Sequence, residues 1–237
     1  MGLAQQRLVQ QVARAFPDGL FYKETTERVV ALTIDDVPTP GEPEDESTQK
    51  ILEAIADHNR QIADPDRHVR ATFFIITSHL TLESTIIPRI RAYGHEVANH
   101  GIVDDTTALQ HPELFALQMR EAHNRICKDC NQPIRWYRPG RGLYAKSMVP
   151  KLQAMPGYEP RFALASMIPV DTFKPTDNAL FSAWYVSRFV FPGSILVMHG
   201  GSAERSENTA TAIPLLLDYL RQKDYRVVTL SELWDNY

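Results

Sequence analysis

The sequence predicts an α/β fold, a distorted (β/α) barrel of about seven parallel strands in a single domain. Three observations carry that expectation. Short, continuous, β-branched apolar runs recur along the chain, stretches with helical apolar spacing lie between them, and 237 residues is an ordinary length for one α/β barrel.

The elements follow in order. Residues 1–27 have apolar positions at helical spacing and are expected as a helical extension ahead of a domain over 28–237. The first strand is expected over 28–34, ending directly at Asp35 and Asp36, and the second over 70–76. Further strands are expected over 95–98, 134–137, 161–165, 194–198 and 225–229. Continuous apolar runs of this kind suit strands covered on both faces, as in a parallel sheet. Helices are expected over 47–58 (Ile51, Leu52, Ile55 on one face), 82–93 (with Pro88 as a blemish), 107–127, 146–154 and 208–223. Residues 38–46 concentrate Pro, Gly and acidic side chains and read as a βα loop. No repeat, low-complexity tract or linker divides the chain.

Composition narrows the function. The net charge of −4 gives no reason to expect nucleic acid or an anionic membrane as partner. The N-terminus lacks a continuous apolar core, so it does not read as a signal peptide, and no run is long enough to span a bilayer. A cytoplasmic protein is expected, or a secreted one if a leader has been removed. Cys127 and Cys130 lack the further ligands a structural zinc site needs and read as two plain thiols near a helix end.

In barrel enzymes the reacting groups stand at the C-terminal ends of the strands. Here Asp35 and Asp36 follow the first strand, and Asn99, His100, Asp104 and Asp105 follow the third. Arg138 to Gly142 follow the fourth, Asp171 stands near the fifth, and His199 ends the sixth. Taken singly, each is an ordinary cap, turn or satisfied polar group. Together, carboxylates, imidazoles and an arginine on one rim fit a metal hydrolase site.

Their order resembles the polysaccharide deacetylase family, also called the NodB-homology domain or carbohydrate esterase family four. Thr33-Ile34-Asp35-Asp36 is similar to the family's Thr-Phe-Asp-Asp, and Ala71-Thr72-Phe73-Phe74 matches unaltered. Gly94-His95-Glu96-Val97-Ala98-Asn99-His100 resembles Gly-His-Glu-Ile-Gly-Asn-His. Arg138-Pro139-Gly140-Arg141-Gly142 is a reduced Arg-Pro-Pro-Tyr-Gly, and Met198-His199-Gly200 resembles Leu-His-Asp. The resemblance spans residues 29–233. It implies metal-dependent hydrolysis of the N-acetyl amide of chitin-like amino sugars. Asp35 would be the general base, with Asp36 and His100 ligands of a divalent metal, commonly zinc, and His199 the general acid. Arg138 would hold Asp35, and the backbone N–H of Arg141 would face the oxyanion.

Three departures modify this. Asp104 stands where the family has its second metal histidine; a carboxylate there makes a harder site and leans toward manganese, cobalt or magnesium, with Asp105 the neighbouring alternative. No Asp-Trp motif is visible; Asp171 is the nearest candidate and would orient His199. Gly140 and Arg141 in place of Pro-Tyr alter the substrate rim and add a cation. The remaining histidines, 58, 68, 79, 95, 111 and 123, read as structural or surface residues. Two rival readings stay open: a hydrolase of a small amide or cyclic imide, and a non-catalytic carbohydrate-binding relative.

Overall fold

The computed structural model describes residues 2–130 and 132–237. Its strands are β1 (Gly19–Leu20), β2 (Val29–Val37), β3 (Ala71–Ile75), β4 (Glu96–Asn99), β5 (Phe162–Ala163), β6 (Ile195–His199) and β7 (Arg226–Val228). The helices are α1 (Gly2–Ala15), α2 (Glu46–Arg60), α3 (Ile86–Ala92), α4 (Pro112–Cys127), α5 (Val149–Gln153), α6 (Ala179–Phe189), α7 (Ala203–Gln222) and α8 (Leu230–Asn236). All strand pairs are parallel, with β2 at the centre between β3 and β6 and with β7 alongside its first residues.

The ring is carried past β4 by single backbone bonds. The Asn99 and Arg138 N–H groups donate to the carbonyls of Trp136 and Asn99, and Ala163 N–H donates to Tyr137. Ser166 N–H then donates to Ile195, returning the path to β6. One interior cluster collects side chains from every run: Val29 and Ala31, Phe74, Ala98, Trp136, Ala163, Ile195 and Val228. A shared interior of that kind requires the strands to surround it. Helix α8 plugs the end where the strands begin. Its Leu230 and Leu233 join the interior cluster, Leu230 N–H donates to Thr72 Oγ1, and Ser231 bonds Glu96. The opposite end, where the strands finish, stays available for chemistry.

Outside the ring, Ile51, Leu52 and Ile55 of α2 and Ile213, Leu216, Leu217 and Leu220 of α7 are buried against the sheet, as their spacing requires. Pro88 is tolerated because α3 begins only at Ile86; the proline falls in the first turn, where its missing N–H had no intrahelical partner.

Two expectations are corrected, and one helix went unforeseen. The run at 134–137 forms only an isolated bridge, Asn99 to Tyr137, because the groups that would extend the ladder turn to side chains: Gly101 N–H donates to Asn99 Oδ1 and the Arg138 carbonyl accepts from His100 Nδ1. The helix expected over 107–127 is broken: a 3-10 turn covers Thr107–Leu109, and α4 starts at Pro112 with His111 accepting from Glu113 N–H. Helix α6 lacked a legible pattern because apolar residues occur all round it; Leu180 and Trp184 are exposed while Ala183 and Val186 are buried. The segment after α1 contributes β1, which pairs with β5 as a separate two-stranded parallel sheet. Cys127 and Cys130 are free thiols. No helix among the described residues is long and apolar enough to cross a membrane.

Candidate active site

A regular strand points successive side chains to opposite faces, so Asp35 and Asp36 would ordinarily diverge. The β2–β3 register shifts between Ile34 and Val37, and Asp36 takes φ 64°, a left-handed conformation that Asp tolerates better than most residues. That bulge turns the Asp36 carboxylate back toward the mouth of the ring beside Asp35. Both are buried, and Asp35 lies level with His199 across the β2–β6 pair. Gly201 closes over this bulge: with φ +79°, a Cβ there would lie 2.7 Å from Asp36 Cβ.

Arg138 is the anchor of Asp35. Its Nη1 donates to Asp35 Oδ1 at 2.5 Å and to Thr33 Oγ1 at 2.8 Å, while Nε and Nη2 donate to the carbonyls of Ala163 and Leu164. The guanidinium also lies over the Phe74 ring, 4.0 Å from its centroid. With these donors committed and 3% exposure, the cation is fixed, leaving Asp35 Oδ2 to face the site.

His199 is held from behind by Asp171. The carboxylate accepts from the His199 backbone N–H at 2.8 Å and lies 3.0 Å from Nδ1, which leaves Nε2 free. Burial alone would lower the His199 pKa; the charge and hydrogen bond of Asp171, with Asp35 and Asp36 behind it, raise it to about 9. The imidazole is therefore a proton donor at neutral pH. His100 directs Nδ1–H to the Arg138 carbonyl at 2.9 Å, so Nε2 faces the two carboxylates, 3.3 Å from Asp36 Oδ1 and 3.8 Å from Asp35 Oδ2. Burial opposes ionisation of Asp36, yet the hydrogen bond and charge of His100, with His199 and Arg205, bring it down to about 2.

The structure therefore brings Asp35, Asp36, His100, Arg138, Asp171 and His199 together. Asp104 is not with them. The helical register assumed between His100 and Asp104 does not exist: Gly101 takes φ +87°, its N–H is held by Asn99 Oδ1, and the chain continues as a bend with Asp104 exposed. Asp105 is exposed as well, its carboxylate turned to Thr106 N–H and Gln110. Gly140 is required where it stands, since a Cβ would lie 2.2 Å from the Asp105 carbonyl oxygen. Arg141 is exposed in the same turn, with φ 58°.

Sequence reading missed Arg205, on the first turn of α7, whose Nη1 lies 3.1 Å from Asp36 Oδ2. The available signal was a cation three residues after the helix cap Ser202, where a helix disfavours positive charge. His79 was read as structural; it is half-buried and clasps the loop after the bulge, with Nδ1 2.8 Å from the Pro38 carbonyl oxygen.

These positions test the metal that the resemblance implies. Asp36 and His100 are disposed as two ligands of one ion would be, but Asp104 does not join them, and Arg205 already occupies the outer oxygen of Asp36. Among the described residues no group of three His, Cys, Asp or Glu side chains is arranged to hold a metal ion. The donor set expected from sequence, Asp36, His100 and Asp104 around zinc, cobalt or manganese, does not fit.

The sequence profile of the polysaccharide deacetylase family matches residues 22–159. A peptidoglycan-N-acetylglucosamine deacetylase of Bacillus cereus is 24% identical over 207 residues, covering 87% of this chain and 88% of that one. A chitooligosaccharide deacetylase of Sinorhizobium fredii is 28% identical over 220 residues, covering 86% and 90%. Among solved structures, a peptidoglycan N-acetylglucosamine deacetylase superposes with TM-score 0.76 at 22% identity, covering 90% of this chain and 91% of that one. A Bacillus anthracis protein described as a CE4 family pseudoenzyme superposes with TM-score 0.75 at 21% identity, covering 92% and 69%. Profile, relatives and fold agree with the strand-end motifs, and the chain belongs to the polysaccharide deacetylase family.

Proposed function

We propose that this protein hydrolyses the N-acetyl amide of amino-sugar oligomers, releasing acetate. The observation that carries the reading is the pair of oriented groups facing each other across β2 and β6. One is a carboxylate held by a buried arginine, Arg138 on Asp35; the other is an imidazole held by a buried carboxylate, Asp171 on His199. A binding module has no need of an opposed base and acid. Amide hydrolysis needs both, because water must lose a proton as it attacks and the amine is a poor leaving group until it gains one. The names of the relatives, chitooligosaccharide and peptidoglycan-N-acetylglucosamine deacetylases, support the substrate class.

In this reading Asp35 Oδ2 takes a proton from water positioned beside the acetyl carbon. The backbone N–H of Arg141 donates to the oxyanion, and the exposed Arg141 side chain and Gly140 turn form part of the sugar-facing rim. His199 then protonates the departing nitrogen. Asp171 and Arg138 are positioning residues that act through these two groups.

Acetate release from a series of N-acetylglucosamine oligomers tests the proposal, with a cyclic imide as the rival substrate. Imide opening without acetate release would transfer the same machinery to small amides. A second reading, a non-catalytic carbohydrate-binding relative, is favoured by one observation, the placement of Asp104 away from His100. Sugar binding with turnover of neither substrate would establish it.

A further inference from the structure

The site contains a cation that neither the sequence motifs nor the family resemblance assigns. Arg205 is the third residue of α7; its backbone N–H is capped by Ser202 Oγ at 3.2 Å, which fixes the direction in which its side chain leaves the helix. A positive charge in a first turn opposes the helix dipole, so its presence there runs against local preference. The conflict is met by Asp36: Nη1 lies 3.1 Å from Oδ2, on the outer side of a carboxylate whose other oxygen faces His100. Gly200 and Gly201 allow the close approach, because a Cβ on either would collide with Val37 or Asp36. The side chain is 34% exposed, so the guanidinium borders solvent and can be reached by a substrate.

Charge balance points the same way. Asp35 faces Arg138 at 2.5 Å, Asp36 faces Arg205 at 3.1 Å, and Asp171 faces His199 at 3.0 Å. Each carboxylate of the site already has a basic partner from the chain, and no unmatched pair of negative charges is left to recruit a dication.

We propose that the Arg205 guanidinium, seated on Asp36, takes the place of a divalent ion and is the cation that polarises the scissile carbonyl. The proposal rests on the amide-hydrolysis reading above. As the water oxygen bonds to the acetyl carbon, one water proton passes to Asp35. The carbonyl π pair moves to oxygen, whose charge develops against the free N–H groups of Arg205. When the C–N bond breaks, its electron pair goes to nitrogen, which takes a proton from His199. One amide and one water give acetate, an amine and a proton released to solvent. Arg205 thus touches the reacting oxygen, while Asp36 holds it there.

Two measurements on the full chain test this. The first is cobalt(II) titration followed by visible absorption and calorimetry, which needs no turnover. Wild type is expected to take up no stoichiometric cobalt, whereas Arg205→Ala, which clears the outer oxygen of Asp36 beside His100, is expected to bind one ion there. Equal binding by both proteins, or by neither, overturns the proposal. The second is acetate release after exhaustive chelation. Wild type is expected to stay active, and Arg205→Ala to lose about 10²–10³-fold in kcat with little change in KM, the loss typical of one oxyanion donor. Arg205→Lys, which keeps the charge, is expected to recover part of it. Chelated wild type that is inactive until metal is restored, or full kcat in Arg205→Ala, overturns the proposal. Absence of acetate from every protein under every condition would instead defeat the amide reading, and the cobalt titration would still decide what sits on Asp36.

Discussion

Replacing Asp171 with Asn removes the charge behind His199 while keeping an oxygen able to accept its Nδ1–H. In the native protein that carboxylate, 3.0 Å from the ring, outweighs burial and lifts the imidazole from 6.5 to about 9. That difference corresponds to about 3 kcal/mol favouring the imidazolium. In Asp171→Asn, burial meets only the weaker charges of Asp35 and Asp36, so the midpoint should fall toward 6.5 or below. At pH 8 a group titrating at 9 is almost fully protonated and one titrating at 6.5 is about 3% protonated, so catalytic efficiency there should drop about 30-fold. The alkaline limb of the profile should move down with it. The folding linkage has the matching sign. The folded pKa is raised, so the stabilisation is complete below pH 6.5 and is lost as pH rises through about 9. Histidine-labelled NMR titration of both proteins, with His199→Gln for assignment, reads the midpoint directly. A midpoint unchanged in Asp171→Asn would refute the reasoning.

Other expectations follow from the same geometry. Asp36 is depressed from 3.8 to about 2, so its contribution, about 2 kcal/mol, is present above pH 3.8 and lost as pH falls through 2. Urea unfolding between pH 2 and 5 should show that slope, and Asp36→Asn should flatten it. Gly140→Ala should cost about 1–3 kcal/mol of thermal stability, because its Cβ would meet the Asp105 carbonyl at 2.2 Å. Asp104→Ala should leave stability within about 0.5 kcal/mol, as expected for an exposed residue; a large loss of stability in calorimetric unfolding would show that the bend depends on it.

The strands were legible because fully buried parallel strands leave continuous β-branched runs, and six of the seven expected runs appear as strands within a few residues. The exception, at 134–137, is held by the ring around it more than by its own ladder. Helix α6 escaped because its pattern is apolar on both faces. At the site, Asp35, Asp36, His100, Arg138, Asp171 and His199 could be found because each ends or follows a strand, and the architecture gathers such positions. Asp104 misled because four-residue spacing carries information only inside a helix, and Gly101 prevents one. Arg205 stayed hidden because its contact with Asp36 joins residues 169 apart in the chain, and only the closure of β6 and α7 over the bulge creates it.

The central claim is that Asp35 and His199 form one acid–base pair that cleaves the acetyl amide. Acetate release from an N-acetylglucosamine oligomer by Asp35→Asn and by His199→Gln, in preparations whose near-ultraviolet circular dichroism matches wild type, tests it most directly. Each variant should lose at least about 10²-fold in kcat, since each lacks a proton-transfer group of the same reaction. Wild-type turnover in either variant would contradict the account.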